Sequence, residues 1–432
     1  MRTALVAVLA ALLLAPAAGA RVFPAGLEPN YVEPSAKLKL GRGAWSYFGD
    51  ARSIAHGKHV FTGWISTSGD VWVAQTDTAT LRTRRRMIYR GLGVDDHNNP
   101  SLIFYKGRLY AFFSEHSGVT IGHGARMRYR VSKRRFDIRG GFGPVREVRT
   151  NTPGGLGYTY PNPIRAGGRL WLFWRGGDWD PTFTTTRDGR HWARARTLVD
   201  GPGTAADPER PYAKYAEGRG GTFHMVMSDG HVQNQRNSLY YMRFRRGAFH
   251  RADGSRIGSL RDVPFERSEL DRPYRYTRKR GRAWPHDLAE APDGSPVLVY
   301  TLRRYGTQYG TDFFEWARFN GRHWVHRKLI TAGTGGKTFR SGGITLDHED
   351  PRTVVLSRTI GAWNQVELFR TEDNGRTWRR ATLTDKTDGF SMRPVIPRGS
   401  HATGRTVVAY FSGTADSFLD YRTGVNLLFY DP

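Results

Sequence analysis

One turn motif recurs along the chain, and it limits the folds open to this sequence more than any other feature. Residues 371–378, TEDNGRTW, match the pattern S/T-x-D-x-G-x-x-W in full. Residues 186–192, TRDGRHW, lack one position of the pattern, and residues 319–324, FNGRHW, keep its glycine and tryptophan. In such a turn the aspartate caps a tight hairpin, glycine adopts a positive φ, and tryptophan fills the space between neighbouring sheets. The motif therefore predicts several similar sheets packed side by side.

Short runs of alternating apolar and polar residues occupy most of the chain, and helix signals are scarce. A proline or a Gly-Gly pair opens a candidate innermost strand at Pro100, Pro161, Pro211, Pro285, Gly342 and Pro394. These openings, with one more sheet near the start, predict an all-β fold, a seven-bladed β-propeller. We expect residues 45–64 and 424–430 to share the blade that closes the ring. No linker stands out, so residues 21–432 are predicted to form a single domain.

Residues 1–20 have the features of a signal peptide. Arg2 supplies the positive start, residues 4–18 are apolar, and Ala18-Gly19-Ala20 is a small-residue cleavage site. The apolar run is short for a membrane span, and no later run is long enough. We therefore expect a secreted protein, extracellular or periplasmic, that does not enter a membrane.

The charge and the lack of cysteine narrow the partners. Without Arg2, 65 lysines and arginines stand against 39 aspartates and glutamates, a net charge of +26. Such a charge attracts polyanions, although a compositional bias toward arginine explains it equally well. No basic helix or aromatic-basic module indicates nucleic acid, so an acidic polysaccharide is the expected partner. The chain has no cysteine, which excludes disulfides and cysteine-ligated zinc; any other bound metal is left open.

A polar cluster is predicted around residues 95–117. His97 and His116 flank a short hairpin whose turn is Lys106-Gly107. One strand out and one strand back bring both imidazoles to the same end of one sheet, beside Asp95 and Asn98. A histidine pair in such a setting is a candidate proton-transfer site, and the alternative is a pair of hydrogen-bonded surface histidines.

The motifs together resemble one family, the BNR-repeat propellers that include ulvan lyases and rhamnose–glucuronate lyases. The resemblance covers almost all of the chain after residue 20. It is carried by DDHNNPSL (95–102), YTYPNP (158–163), WLFWRGG (171–177), RPYAKY (210–215), MSDGH (227–231), NSLYY (237–241), AWPHDLAEAPDGSPVLVY (283–300), SGGITLD (341–347) and RTEDNGRTW (370–378). It implies a polysaccharide lyase that cleaves a uronate chain by β-elimination. Such an enzyme must neutralise the uronate carboxylate and accept the C5 proton.

The resemblance also implies site residues. His97, His116, Tyr160 and Arg175 match the catalytic types, with Arg175 and His116 on the carboxylate and either Tyr160 or His97 as the base. Nearby cations would have to stabilise a Tyr160 phenolate, because the ordinary pKa of tyrosine is about 10. The substrate-binding residues implied at the same mouth are Asn98, Tyr158, Arg210, Tyr212 and Tyr215, and Tyr158 is an alternative to Tyr160.

Two histidines are expected to be structural, and two other functions stay open. His231 lies where ulvan lyases place a cysteine-containing metal site, so the lack of cysteine argues for a hydrogen-bonded histidine. His286 opens a strand, and a structural role is favoured for it as well. The alternatives to a lyase are a sialidase-like glycoside hydrolase and a noncatalytic carbohydrate-binding propeller. A monomer is expected.

Overall fold

The computed structural model describes residues 31–116, 126–148, 158–201, 210–231, 236–303, 312–333, 342–360, 363–385 and 388–431. The signal peptide predicted for residues 1–20 lies outside this part of the chain, and the single-domain assignment stays a prediction. Within these ranges no helix has the length and apolar character needed to cross a membrane.

The described residues form seven blades in a propeller arrangement, with almost no helix. The first strand is β1 (Ala36–Arg42), and blade 1 contains β2 (Ser53–His56), β3 (His59–Ile65), β4 (Val71–Asp77) and β5 (Thr83–Tyr89). Blade 2 contains β6 (Ser101–Tyr105), β7 (Arg108–Phe113), β8 (Arg128–Arg135), β9 (Asp137–Phe142) and β10 (Arg146–Glu147). Blade 3 contains β11 (Thr159–Ala166), β12 (Arg169–Arg175), β13 (Pro181–Thr186) and β14 (Arg196–Thr197), and β15 (Val199–Asp200) follows it.

Blade 4 is the most elaborate. It contains β16 (Ala213–Glu217), β17 (Phe223–Ser228), β18 (Leu239–Arg245), β19 (Ala248–His250), β20 (Arg256–Ser259) and, after β21 (Phe265–Glu266), β22 (Asp271–Tyr274). Blade 5 contains β23 (Arg282–Glu290), β24 (Pro296–Arg303), β25 (Asp312–Phe319) and β26 (Trp324–Gly333), and blade 6 contains β27 (Ile344–Leu346), β28 (Thr353–Ile360), β29 (Trp363–Arg370) and β30 (Arg379–Thr382). Blade 7 contains β31 (Ser391–Val395), β32 (Thr406–Ala415) and β33 (Tyr421–Tyr430). The 3-10 turns include Asp96–Asn98, Gly177–Trp179, Arg219–Gly221, Arg267–Glu269 and Ser400–Thr403.

As predicted, a segment near the start of the sequence pairs with residues 424–430 to close the ring, but that segment is β1. The antiparallel pair is β1 with β33, in which Leu38 lies opposite Leu427. The partner expected from the sequence, residues 45–64, is wrong, because this range contains an irregular stretch followed by β2 and most of β3, which belong to blade 1. The six predicted strand openings all lie at or just before innermost strands, from Pro100 before β6 to Pro394 within β31. Pro161, Pro285 and Pro394 lie where the register of their strands shifts, and a residue without an N–H donor is tolerated at such a bulge.

The turn motif also acts as predicted. In residues 371–378, the Thr371 hydroxyl accepts from the Gly375 amide at 2.7 Å, and Asp373 Oδ1 accepts from the Thr377 amide at 2.8 Å. Trp378 lies edge-on to Trp316 of the preceding blade, with ring centroids 5.9 Å apart. The motif therefore contributes to packing between blades 5 and 6.

An irregular stretch, residues 43–50, crosses the centre of the ring; we call it the crossing segment. Its contacts reach six blades. On the side of blades 1, 2 and 7, Ala44 forms a β-bridge with Ile65, Ser46 N donates to Asn99 Oδ1 at 3.0 Å, and Trp45 Nε1 donates to Arg393 O at 2.9 Å. On the side of blades 3, 4 and 5, Asn162 Nδ2 donates to Phe48 O at 2.9 Å, Lys214 donates to Tyr47 O, and the Trp284 ring contacts the Phe48 ring. The crossing segment thus forms a floor across the central channel of the propeller.

The crossing segment ends in a buried ion network. Asp50 Oδ1 accepts from Arg52 Nε at 3.0 Å, and Lys214 donates to the other carboxylate oxygen. Burial alone would raise the pKa of Asp50, yet Arg52 and Lys214 hold that pKa below its ordinary value. Burial lowers the pKa of Lys214, and Asp50 opposes this effect.

Replacing Lys214 with methionine is expected to destabilise the protein by about 3 kcal/mol, since it leaves a buried carboxylate with one cation fewer. The measurement is the free energy of unfolding from a urea titration. The matched control is Lys39→Met on the exposed face of β1, which should change stability by less than about 0.5 kcal/mol. Equal stability of the two variants would contradict a structural role for the pair.

Candidate functional site

Four of the predicted residues meet at one end of the ring, where innermost strands begin and second strands end. His97 lies in the 3-10 turn before β6, and His116 follows β7. Tyr160 lies in β11 and Arg175 ends β12, with Thr159 opposite Arg175 in the register. The hairpin returns that were expected from the spacing therefore bring these side chains together at one mouth.

Asp95 organises the two histidines. Asp95 Oδ1 lies 2.5 Å from His97 Nδ1, and Asp95 Oδ2 lies 2.9 Å from His116 Nδ1. The two rings stack with centroids 3.9 Å apart and an interplanar angle of 11°. Burial would raise the pKa of Asp95, but the hydrogen bonds from both histidines hold that pKa far below its usual range. An ionised Asp95 therefore fixes both rings with Nδ1 as the donor and Nε2 as the lone-pair nitrogen.

The histidine pair is set up to accept a proton. Burial first, and then the neighbouring His97, lower the pKa of His116 below its ordinary 6.5. His116 is thus neutral at pH 7. The Asp95 carboxylate opposes this lowering of the His116 pKa.

Tyr160 lies under the pair with an unusual backbone. Its φ is +65°, and the β11–β12 register shifts between Thr159 and Asn162, so a bulge re-aims the side chain. The ring is 5% exposed and its centroid lies 5.5 Å from that of His97. Burial, and then the Tyr212 phenol, raise the pKa of Tyr160 well above 10, and the lowering effect of Arg175 is smaller. Burial therefore opposes the Tyr160 phenolate that nearby cations would have to stabilise, and the charge of Arg175 does not offset that effect.

Arg175 is a buried cation that has no carboxylate partner among the described residues. Its guanidinium lies 4.9 Å from the ring centroid of Tyr160, 4.7 Å from that of Trp179 and 5.1 Å from that of Tyr212. The residue is 6% exposed, and among the described residues neither Nε nor Nη1 has a hydrogen-bond partner. Buried arginine nitrogens are costly unless bonded. The guanidinium of Arg175 therefore favours an anionic acceptor at this mouth, and a carboxylate is one group that would neutralise it.

Three of the predicted binding residues lie at or beside this mouth. Tyr212 is 9% exposed and contacts both Tyr160 and Arg175. Arg210 is exposed and stacks over Trp179 at 4.6 Å. Tyr158 is half-buried and stacks on Trp174, with ring centroids 5.7 Å apart. These side chains extend the aromatic and cationic surface around Arg175.

The two other predicted binding residues do not face the mouth, which corrects the expectation for both. Asn98 is 2% exposed, its Nδ2 donates to Gly93 O at 3.2 Å, and its Oδ1 accepts from His116 N at 2.8 Å. It positions the His116 backbone instead. Tyr215 is 2% exposed and stacks on Phe173 at 4.3 Å within the apolar core. Tyr215 lies inside β16, where every second side chain enters the core between blades.

Sequence reasoning missed Phe48, Trp179 and Trp284. Phe48 contacts Tyr160 at 5.5 Å, Tyr212 at 4.7 Å and Trp284 at 5.8 Å between ring centroids, so the crossing segment forms the floor of the site. Trp284 Nε1 is buried and, in the described part of the chain, has no hydrogen-bond partner. The available signal was modest: Trp179 follows the Gly-Gly after Arg175, and Trp284 precedes a strand-opening proline.

His231 and His286 border the site without joining the histidine pair. His231 lies edge-on to Trp284, with ring centroids 4.6 Å apart, and burial followed by the charge of Arg175 lowers its pKa to about 4. With no cysteine in the sequence, its surroundings do not fit a cysteine-ligated zinc. His286 lies against Tyr47 at 5.2 Å, and burial followed by Lys214 lowers its pKa to about 3.

Two groups have the spacing of cation ligands. The ligand atoms of Asp95, His97 and His116 all lie within 4.8 Å of one another, and so do those of Asp347, Glu349 and His401. In both groups a carboxylate already bonds a histidine, as Asp347 Oδ2 does to His401 Nε2 at 2.7 Å. Hydrogen bonding therefore accounts for both arrangements, and a divalent cation is the alternative for the first.

Comparison with known proteins supplies the family. The sequence profile described as BNR repeat-containing family member matches residues 59–332, more than half of the chain. The chain belongs to the BNR repeat-containing family. This assignment agrees with the resemblance drawn from the sequence motifs.

Solved structures that resemble this BNR-repeat chain include two polysaccharide lyases. One is an ulvan lyase of polysaccharide lyase family PL25 bound to -[GlcA(1-4)Rha3S]-, with a TM-score of 0.68 and 15% identity over 92% of this chain and 96% of that chain. The other is the polysaccharide lyase Uly1, with a TM-score of 0.59 and 12% identity over 95% of this chain and 94% of that chain. At such identities the likeness concerns the fold.

One curated protein is similar over a short stretch. A xyloglucanase from Paenibacillus sp. is 28% identical over 97 residues, which are 22% of this chain. The match spans only 9% of the xyloglucanase, so it adds little to the family assignment.

Proposed function

We propose that this protein is a secreted polysaccharide lyase that cleaves a uronate-containing polysaccharide by β-elimination. The observation that carries the proposal is the buried guanidinium of Arg175, whose Nε and Nη1 lack partners among the described residues. It lies beside a phenol and a stacked histidine pair. A uronate supplies the missing carboxylate, and the carbon that carries this carboxylate is the one that loses the proton.

The reaction needs three roles. Arg175 binds the carboxylate, which lets negative charge from C5 spread into it as the C5–H bond breaks. His97 Nε2 takes the C5 proton, and Asp95 at Nδ1 stabilises the imidazolium that forms. The C4–O bond breaks, and Tyr160 gives its proton to the leaving oxygen. Tyr160 then regains a proton from the imidazolium, so the pair returns to its starting state and a 4,5-unsaturated uronate is released.

This assignment changes one sequence expectation. His116 was expected to help Arg175 with the carboxylate, but its lowered pKa leaves it neutral and its Nδ1 proton is given to Asp95. We propose that His116 supports the stacked His97 ring and limits the pair to a single added proton. The similarity of fold to two polysaccharide lyases supports the class of reaction.

A single assay tests the proposal. The purified protein is incubated with a panel of acidic polysaccharides, including ulvan and polyglucuronate, and the ultraviolet absorbance of the unsaturated uronate is followed. A rise in absorbance supports the lyase. New reducing ends without absorbance would indicate a hydrolase, and retention on the polymer without cleavage would indicate a carbohydrate-binding propeller. Prior dialysis against EDTA distinguishes the two uses of Asp95, since proton transfer survives chelation and a cation site does not.

The pH dependence should identify the base. If a histidine takes the proton, kcat/KM falls as the pH is lowered through the histidine range, about pH 6–7, because the base must be deprotonated. No further rise is expected above pH 9, since the pKa of Tyr160 lies well above 10. The measurement is kcat/KM on a cleaved polymer from pH 5 to 10.5. A rate that keeps rising to the alkaline end would assign the base to Tyr160 instead.

A further inference from the structure

A cluster of cations lies on the face of the propeller opposite the candidate site. The site uses the ends of second strands, such as Arg175 at the end of β12, whereas this cluster uses the other ends of the strands. We call it the rim patch: Arg82 and Arg84 at the start of β5, Lys106 in the β6–β7 turn, and Lys133, Arg134 and Arg135 at the end of β8. Arg82 directly precedes β5, Arg84 lies in β5 of blade 1, and Lys133, Arg134 and Arg135 lie in β8 of blade 2.

Hydrogen bonds to backbone carbonyl groups bring these segments together. Arg86 of β5 donates from Nε to Ile138 O at 3.4 Å and from Nη2 to Arg139 O at 3.1 Å, so β9 packs beside β5. Phe136 N donates to Gly107 O at 2.8 Å, and Arg135 Nη1 donates to Lys106 O at 3.4 Å. The start of β5, the β8–β9 turn and the β6–β7 turn therefore form one continuous surface.

Carboxylates do not balance this surface. Residues 79–94 contain five arginines and no acidic residue, and residues 126–136 contain six cations and no acidic residue. Among the cations of these segments and their neighbours, the ion pairs include Lys58–Asp77 at 3.2 Å, Arg139–Asp137 at 2.5 Å, Arg126–Glu147 at 3.0 Å and Arg128–Glu115 at 2.6 Å. Over the described ranges, none of the six rim-patch cations has a carboxylate oxygen within 4.0 Å. All six are exposed arginines and lysines, so the surface presents a concentrated positive field.

An aromatic pair borders the cations. The rings of His56 and Phe136 stack with centroids 3.7 Å apart, and the Arg135 guanidinium lies 5.6 Å from the Phe136 centroid. Flat rings next to guanidinium groups suit a polymer of sugar rings that carry anionic substituents. Nucleic acid is disfavoured, because the surface is built from strand ends and turns and offers no element that would enter a groove.

We infer that the rim patch is a second binding surface for an acidic polysaccharide, separate from the candidate site. The identity of the polymer rests on the proposed function, but the existence of the surface does not. A chain held on the rim patch stays near the mouth of the same molecule, which raises the local concentration of cleavable units. The expected consequence is a lower KM for long polymers, with no effect on short oligosaccharides that cannot reach both faces.

The test compares two triple variants with the same change in net charge. The first is Arg84→Glu/Lys133→Glu/Arg134→Glu in the rim patch. The control is Arg322→Glu/Arg376→Glu/Arg379→Glu, three exposed residues of blades 5 and 6 where Asp373 and Glu372 already dilute the charge. Binding to immobilised dextran sulfate is measured at low salt, with neutral dextran as the blank. We expect the rim-patch variant to lose affinity about tenfold or more and the control less than about twofold.

The outcomes separate this inference from the proposed function, because dextran sulfate carries no uronate and its retention requires no cleavage. Equal losses of affinity for dextran sulfate in the two variants would overturn the rim patch, because net charge alone would then explain the binding. Preferential retention of the parent protein on double-stranded DNA over dextran sulfate would overturn the polysaccharide assignment. On a polymer that the parent cleaves, the rim-patch variant should raise KM with kcat unchanged, and a changed kcat on short oligosaccharides would contradict a separate surface. Thermal midpoints of both variants confirm that each is folded.

Discussion

Replacing Tyr160 with phenylalanine should reduce turnover of a uronate polysaccharide by about 100-fold or more, the usual scale for losing a general acid or base. The change removes one oxygen and keeps the ring that packs against Phe48 and Tyr212. Folding and retention of substrate should therefore be nearly unchanged. The measurement is the initial rate of unsaturated-uronate formation under saturating polymer, with the thermal midpoint as the check on folding.

The matched control is Tyr158→Phe, two residues away in the same strand entry. Tyr158 stacks on Trp174 at the edge of the site, so the loss of its hydroxyl should change turnover by only a few-fold. A reversed pattern, with Tyr158→Phe inactive and Tyr160→Phe active, would move the acid to Tyr158. If Tyr160→Phe and His97→Ala both keep full activity, the proposed site is wrong and the chemistry lies elsewhere on the propeller.

Replacing Arg175 should affect activity and stability in opposite directions. Arg175→Met removes the buried cation and keeps a flexible apolar side chain among three aromatic rings. We expect kcat/KM to fall by about 10²- to 10³-fold, the scale for losing one electrostatic contact to the developing charge. Binding should weaken as well, since the carboxylate is held in the ground state too.

The stability of the unliganded protein should not fall with this change, and a gain is expected. Two guanidinium nitrogens of Arg175 are buried without partners among the described residues, so the charge costs free energy until a ligand arrives. Arg175→Lys keeps the charge but loses the two-pronged geometry, and it should recover part of the binding without the full rate. A methionine variant that is inactive and strongly destabilised would indicate a structural arginine instead.

The blades were predictable because their signals are local. Each of the six strand openings, such as Pro100 and Pro211, lies within or just before an innermost strand. The convergence of His97 with His116 and of Tyr160 with Arg175 was predictable for the same reason, since one hairpin carries each pair back to the same edge. The two ends of a short hairpin lie side by side, so the spacing of two residues across it predicts that they are close in space.

The remainder of the site depends on contacts that local spacing does not encode. Phe48 reaches Tyr160 across more than a hundred residues, and nothing in the irregular sequence of the crossing segment predicts its path over the channel. Tyr215 was misassigned because the phase of β16 decides which side chains face the core, and a strand entry after a proline leaves that phase open. The protonation of Tyr160 also escaped the sequence, because it depends on burial from several blades at once.

The order in which the chain is synthesised has a consequence for when the site first exists. Strand β1 leads directly into the crossing segment, and β1 is held by β33, the last strand of the fold. The floor beneath Tyr160 therefore takes its final position only after residues 421–430 have joined the sheet. Folding of this propeller is governed by contacts of extreme sequence separation, which form slowly. A chain in which β33 has not yet paired with β1 lacks the fixed floor beneath Tyr160, so the candidate site is complete only after the ring has closed.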